Sequence, residues 1–433
     1  MRQQLLREGA SELSYEIRGI VKKAEQLQQL GETIYWENIG DPIQKNAKVP
    51  QWMKDIIGEL VQKDETYGYS HSKGLLATRQ YLADKCNAQG GAQIKPEDIT
   101  FFNGLGDAIQ KIYQYLRPTA RVIGPSPAYS THSSAEAGHA NHHPITYKLD
   151  PENNWYPDLE DLYNKVKYNP HIVGIMVINP DNPTGMVYPR EILERIVAIA
   201  KEFDLFLVFD EIYMNIQYNG AKSCTLAEIV DHVPGISLKG ISKEFPWPGS
   251  RCGWAEYYNR ESQPEFKALC ETIDNAKMIE VSSTRLPQRA IPLIMNHPNY
   301  APFLKETNEH IGQKSQYLQK VFGDIPYIKF NQTNGAFYNS IIFKKGTLRP
   351  EQKLKIQRPE VQALLDSWMR PNMPNDQRFV YSLLAAKGVC VVPISSFASD
   401  LEGFRITLLE ENAQLMKETF QRIKEGIIEY CES

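Results

Sequence analysis

The run IVGIMVINPDNPTGMVYPREILERIVAIAKEFDLFLVFDEIY, residues 172–213, reads as one complete strand–helix–strand repeat and decides the fold class. Ile172 to Ile178 and Leu205 to Phe209 are apolar without strict alternation, the pattern of strands covered on both faces. Between them, Tyr188 to Phe203 carries Ile192, Leu193, Ile196, Ile199 and Phe203 at helical spacing. Working outward, Ile99 to Phe102, Arg121 to Ile123 and Ile236 to Leu238 are further short apolar runs separated by helical patterns. Strands alternating with helices predict an α/β fold on a mostly parallel sheet. Ligands of such sheets lie beyond the carboxyl ends of the strands, so the residues just after each run are the first candidates for chemistry.

Those residues are informative. Asp210 ends the second strand of the repeat. A nucleotide triphosphatase would hold magnesium with such a carboxylate, but the chain has no Gly-Lys pair and hence no phosphate-binding P-loop. The remaining chemistry is a salt bridge to a ring nitrogen, which keeps a pyridine protonated as an electron sink. Asn103-Gly104-Leu105-Gly106-Asp107-Ala108 opens a helix, where free backbone N–H groups can seat a phosphate. It falls short of a dinucleotide fingerprint, because Ile109 stands where the third glycine belongs. After Ile236 to Leu238 comes Gly240-Ile241-Ser242-Lys243, with Gly249 and Arg251 close behind. A lysine at a strand end, shielded from water, can lose its proton and form a Schiff base with an aldehyde. The guanidinium of Arg251 is a planar fork suited to phosphate. A cofactor that is both aldehyde and phosphate is pyridoxal 5'-phosphate. The alternative is a surface loop with two solvated basic residues. Asn179 to Gly185 is open to the same two readings, a structural turn or part of a site.

At 433 residues the chain is long enough for two domains. Residues 56–300 form the expected large domain. Residues 301–433 form a smaller α+β domain with a charged insertion at 344–378, and residues 1–55 are expected to pack on it. Ser14 to Leu30 reads as an amphipathic helix, and Thr33 to Trp36 as a short strand leading into Asn38-Ile39-Gly40-Asp41-Pro42. With 42% apolar and 23% charged residues and a formal net charge of −4, nothing points to nucleic acid or an acidic membrane surface. Six scattered cysteines lack Cys-x-x-Cys spacing, so neither a metal site nor a disulfide framework is expected. The first residues lack the apolar core of a signal peptide, and no apolar run approaches a membrane span, so a cytoplasmic protein is expected.

Taken together in order and spacing, these pieces resemble the class I/II aminotransferases, fold-type I pyridoxal-phosphate enzymes, and within them the bacterial alanine-aminotransferase branch. Tyr15 to Gly19, Asn38 to Pro42, Trp155 to Leu159, Asn182 to Gly185, Asp210 to Tyr213 and Ser242-Lys243 with Gly249 and Arg251 carry the resemblance. It implies a seven-stranded, mostly parallel sheet between helices, plus a small domain. It also implies roles. Lys243 matches the Schiff-base lysine and proton shuttle, Asp210 the partner of the pyridine nitrogen, and Asn182 and Tyr213 the pair on the ring hydroxyl. Tyr129 falls where an aromatic stacks on the ring. Gly104 and Leu105 offer N–H groups, and Arg251 a guanidinium, to the phosphate. Tyr69 matches a residue reaching the neighbouring subunit's phosphate, which implies a homodimer. Arg405 matches the clamp on the substrate α-carboxylate, with Asn182 beside it and Gly40 closing over it.

Two departures bear on substrate. Gly240 stands where many relatives have a phosphate-binding serine. Around Met278 to Ser283 no arginine matches the one that reads a dicarboxylate's distal acid, and Arg285 is out of register. The expectation is therefore transamination of alanine or another small apolar donor, with glutamate and 2-oxoglutarate as partners and Tyr15, Trp36 and Tyr129 as aromatic walls. An aspartate-type enzyme, or a lyase or decarboxylase on the same fold, is the alternative. A lyase would release pyruvate and ammonia without an amino acceptor. A non-catalytic sensor is disfavoured because every catalytic position is filled.

Overall fold

The computed structural model describes Leu6, residues 8–13 and residues 17–433. Tyr15 and Glu16, and the side chains of Ile17 and Arg18, lie outside the described residues. The main sheet has the spatial order Ile99–Phe102, Gly253–Tyr258, Gly235–Gly240, Phe206–Asp210, Ile172–Ile178, Arg121–Ser126, Thr146–Asp150, Tyr156–Pro157. Adjacent strands from Gly235–Gly240 across to Thr146–Asp150 run parallel, and Gly253–Tyr258 is antiparallel to both its neighbours. The sheet thus has eight strands where seven are expected. The extra one is a two-residue edge pairing with Leu149–Asp150, and Pro157 is tolerated there because an edge needs no donor on its outer side.

Strand periodicity divides the large domain into two apolar layers. Ile175, Val177, Leu207 and Phe209 point to one face, while Met176, Ile178, Val208, Ile236 and Leu238 point to the other. Helix Arg190–Glu202 covers the first face with Leu193, Ile196, Val197 and Ile199. Each such side chain contributes about 1.5–3 kcal/mol by leaving water.

A second sheet, all antiparallel, has the order Ile328–Lys329, Tyr338–Phe343, Gly403–Thr407, Val392–Pro393. The helices Tyr300–Phe322, Asn375–Lys387 and Ala413–Glu432 bury Leu318, Phe322, Phe379, Leu383, Phe420 and Ile427 in its core. Tyr35–Trp36 pairs in parallel with Val389–Cys390, and Ile20, Ala24 and Leu27 of helix Ile17–Gln29 join the same core. The charged stretch 344–378 contains a regular helix, Pro359–Trp368, whose Val361, Leu365 and Trp368 are buried at helical spacing. Among the described residues no helix is long and apolar enough to cross a membrane.

Ile178, Asp210 and Leu238 are in register across three parallel strands. The chain past that level, from Asn179, Glu211 and Lys239 onward, therefore carries the three segments out at one edge of the sheet. Ser340 Oγ and the amides of Asn334 and Gly335 donate to the carbonyls of Pro183 and Gly185 there, which brings the second sheet against the same edge.

Candidate active site

At this edge a cavity of 390 Å³ is lined by Gly40, Leu105, Tyr129, Asn182, Asp210, Tyr213, Lys243, Arg251 and Arg405. Nine residues scattered over the sequence thus face one space. Gly104 borders it as the residue before helix Leu105–Gln114. Its φ of 85° suits glycine, and a Cβ there would strike the Arg251 guanidinium. Arg251, itself left-handed at φ 48°, is held back against this helix start. Backbone N–H groups and a guanidinium therefore converge at one end of the cavity, the donor set a phosphate needs.

Lys243 follows the strand Gly235–Gly240 by three residues, and its Nζ donates to the Gly40 carbonyl at 2.8 Å. Burial pushes its amine down to about 8. Asp41 and Asp210 oppose that shift, while Arg405 and Arg251 reinforce it. Asp210 is 4% exposed. One of its oxygens accepts from His132 Nε2 at 2.9 Å, the other from the amide of Ile212 at 3.1 Å. A carboxylate oxygen only accepts, so Nε2 of His132 carries the proton. Tyr213 shares a 3.1 Å hydrogen bond with the Tyr338 hydroxyl, and burial holds its phenol well above the ordinary range, as a neutral O–H.

At the other end, Arg405 projects from strand Gly403–Thr407, 3% exposed. It donates to Asn182 Oδ1 at 3.2 Å and to the Asn38 carbonyl at 2.8 Å, between the rings of Tyr338 and Phe397. Its Nε is buried and unsatisfied. The guanidinium lines the cavity, where its planar fork would meet an arriving carboxylate.

Gly240 faces strand Gly253–Tyr258 across a tight gap, where a Cβ would lie 3.1 Å from both the Cys252 carbonyl and Ile212. A side chain there would need Ile212 or the facing backbone to give by a few tenths of an ångström. Arg285 does not line the cavity; its guanidinium donates to the Tyr69 carbonyl. Trp36 does not line it either, since it is paired with Cys390. Tyr69 also lies apart, 80% exposed. The candidate wall residue Tyr15 falls outside the described residues.

Three residues that the sequence did not single out belong to the site. His132 stands one helical turn after Tyr129 and so reaches Asp210, a spacing visible in the sequence. Asp41 lines the cavity within a quoted motif. Tyr338 comes from the second sheet, and no local pattern links it to Tyr213. Its hydroxyl fills the place a Cβ at residue 40 would need, so Gly40 is a glycine of close approach.

The arrangement fits pyridoxal phosphate: a phosphate seat, a lysine of lowered basicity, a buried carboxylate and an aromatic wall share one cavity of suitable size. Comparison with known proteins agrees. The family model described as aminotransferase class I and II matches residues 38–423. An uncharacterized aminotransferase of Methanocaldococcus jannaschii is 51% identical over 433 residues, all of both chains. The glutamate-pyruvate aminotransferase AlaA of Escherichia coli is 28% identical, covering 90% of this chain and 96% of that one. The solved alanine aminotransferase from Pyrococcus furiosus superposes with a TM-score of 0.84 at 25% identity, covering 98% of this chain and 100% of that one. The chain belongs to the class I and II aminotransferases, and is a pyridoxal-phosphate-dependent transaminase of fold type I.

Proposed function

We propose that the enzyme moves the amino group between alanine, or another small apolar amino acid, and a 2-oxo acid, with glutamate and 2-oxoglutarate as partners. The observation that carries this reading is the charge inventory of the cavity. Among the described residues its lining holds two guanidinium groups, Arg251 at the phosphate end and Arg405 between Asn182 and Asn38. Neither is free for a second substrate carboxylate, and Asp41 adds a negative wall. The kinship to proteins named glutamate-pyruvate and alanine aminotransferase supports the same choice.

In this reading Arg405 binds the α-carboxylate as a fork, with Asn182 fixing the plane of the guanidinium. That contact orients the Cα–H bond towards Lys243, whose Nζ takes the α-proton and returns it. Bound pyridoxal phosphate supplies the electron sink for the charge that develops at the α-carbon. Asp210 would hold the ring nitrogen protonated, itself oriented by His132. Tyr213 and Asn182 would hydrogen-bond the ring hydroxyl, and Tyr129 would cover the ring. Gly104, Leu105 and Arg251 would hold the phosphate. Tyr69, exposed like Tyr67 two residues before it, supports a homodimer in which it reaches the other copy's phosphate.

The test compares kcat/KM for alanine and aspartate, each with 2-oxoglutarate, in wild type and in Arg285→Ala. Alanine should be preferred and the substitution should leave the ratio unchanged. A strong aspartate preference that Arg285→Ala removes would overturn the substrate choice.

A further inference from the structure

Beside the cavity lies a buried cluster with no part in the chemistry above. Lys45, 4% exposed, sends its Nζ to the Trp36 carbonyl at 2.7 Å, to Glu37 Oε1 at 3.3 Å and to Glu410 Oε2 at 2.9 Å. The second oxygen of Glu37 accepts from Thr407 Oγ1 at 3.0 Å, and Glu37 is 1% exposed. A lone charge at such a place would be strongly disfavoured, so these groups are held together or not at all.

Position gives the cluster its meaning. The Lys45 ammonium closes the arc 37–45 into a ring by reaching back from one end to Trp36 and Glu37 at the other. The arc carries Asn38, whose carbonyl receives Arg405, and Gly40, whose carbonyl receives Lys243. Thr407 lies two residues after Arg405, on the same face of the same strand. Glu37 thus fastens the arc to the very strand that presents Arg405, and Glu410 fastens the other end just beyond it.

We propose that Lys45 is a positioning residue for the substrate's α-carboxylate: by bridging Glu37 and Glu410 it holds the Asn38 carbonyl on Arg405 and so sets the direction of that guanidinium. This rests on the reading of Arg405 as the α-carboxylate clamp. The consequence is selective in part. Loosening the arc also loosens the Gly40 carbonyl on Lys243, a loss shared by every amine donor, and in addition weakens recognition of donors that carry an α-carboxylate, so the ratio between the two isolates the Arg405 contact.

The test uses the holoenzyme and two paired measurements. The first is the ratio of kcat/KM for alanine to that for ethylamine, which lacks only the carboxylate. The second is the affinity for propionate by calorimetry, which involves no turnover. In Lys45→Met both should fall about ten- to a hundredfold, as expected when a reactive geometry slackens by about an ångström. Lys45→Arg, which keeps the charge, should restore most of the loss. Thr407→Val removes one hydroxyl and leaves the ion pairs, so both quantities should fall about threefold. It is the deciding variant if Lys45→Met does not fold. A folded Lys45→Met, or failing that a Thr407→Val, with both quantities within about twofold of wild type would overturn the proposal. Arg405→Ala keeps the two failures apart. If it retains propionate affinity, the α-carboxylate assignment itself is wrong; if it loses that affinity while the Lys45 and Thr407 variants keep it, only the positioning role is.

Discussion

At Lys243 burial outweighs the neighbouring charges, and the amine is pushed down to about 8 from the 10.5 of a solvated lysine. The neutral amine is the form that attacks an aldehyde, and its fraction grows as pH rises towards 8. The apoenzyme should therefore take up pyridoxal phosphate covalently about tenfold faster per pH unit between 6 and 7.5, and level off above about 9. Loading that is already flat from pH 6 would contradict the shift. Lys243→Ala should lose the visible absorption of the lysine-bound cofactor and all borohydride-fixed cofactor, while its circular dichroism stays that of the wild type. Fixation on the variant would place the Schiff base elsewhere. Asp210 is held by His132 and by the Ile212 amide, so Asp210→Asn should keep its place in the fold while losing the charge. Single-turnover reaction with amino donor should slow by roughly 3 kcal/mol, on the order of a hundredfold. A near-native rate would remove Asp210 from its assigned role.

The helix Leu105–Gln114 shows how an element prepares a site before any ligand arrives. Its first turn offers unsatisfied N–H groups, and the left-handed Gly104 lets the Arg251 guanidinium lie against the chain. Gly104→Ala adds both a strained φ and a collision with Arg251. Cofactor affinity should drop about tenfold or more, since backbone strain of 1–3 kcal/mol is added at the seat itself. Equilibrium dialysis of the apo-variant against pyridoxal phosphate checks this, and unchanged affinity would show that the phosphate sits elsewhere. Legibility also differed by element. Ile99–Phe102 and Ile172–Ile178 were readable to the residue, because strands covered on both faces are nearly pure apolar runs. Gly253–Tyr258 was not, because Glu256 interrupts it; that carboxylate is buried and paired with Lys239, Trp254 and Tyr258. The helix Pro359–Trp368 was hidden in the same way by the charged residues around its stripe.

At the scale of the whole molecule, Tyr67, Tyr69, Leu76, Met278 and Ile279 are between 58% and 86% exposed, and Arg285 is anchored beside them on the Tyr69 carbonyl. Large side chains left in water are candidates for a surface that a second copy covers. Light scattering should give twice the chain mass, and the melting temperature should rise with protein concentration. A monomer at micromolar concentration would remove Tyr69 from the phosphate site.

The sequence by itself determined what is local. The apolar runs and the helical spacing between them specify the parallel sheet, and residues at strand ends, Asp210 and Lys243 among them, are marked by their neighbours. The glycine before helix Leu105–Gln114 is legible for the same reason, whereas the roles of the Asn-Pro turn and of Arg405, inside strand Gly403–Thr407, were legible only through the family resemblance. Only the tertiary structure decided which distant groups meet. Tyr338 reaches Tyr213 from 125 residues away, and Arg405 takes the Asn38 carbonyl across 367. His132 comes to Asp210 only because helix Ser130–Ala140 crosses the end of that strand. Such pairings are made by sheets packed edge to edge, and they leave no periodicity in the chain, because neither partner's neighbours need change for the contact to form. The downward shift at Lys243 has the same origin: it is produced by enclosure, and enclosure is a property of the folded whole.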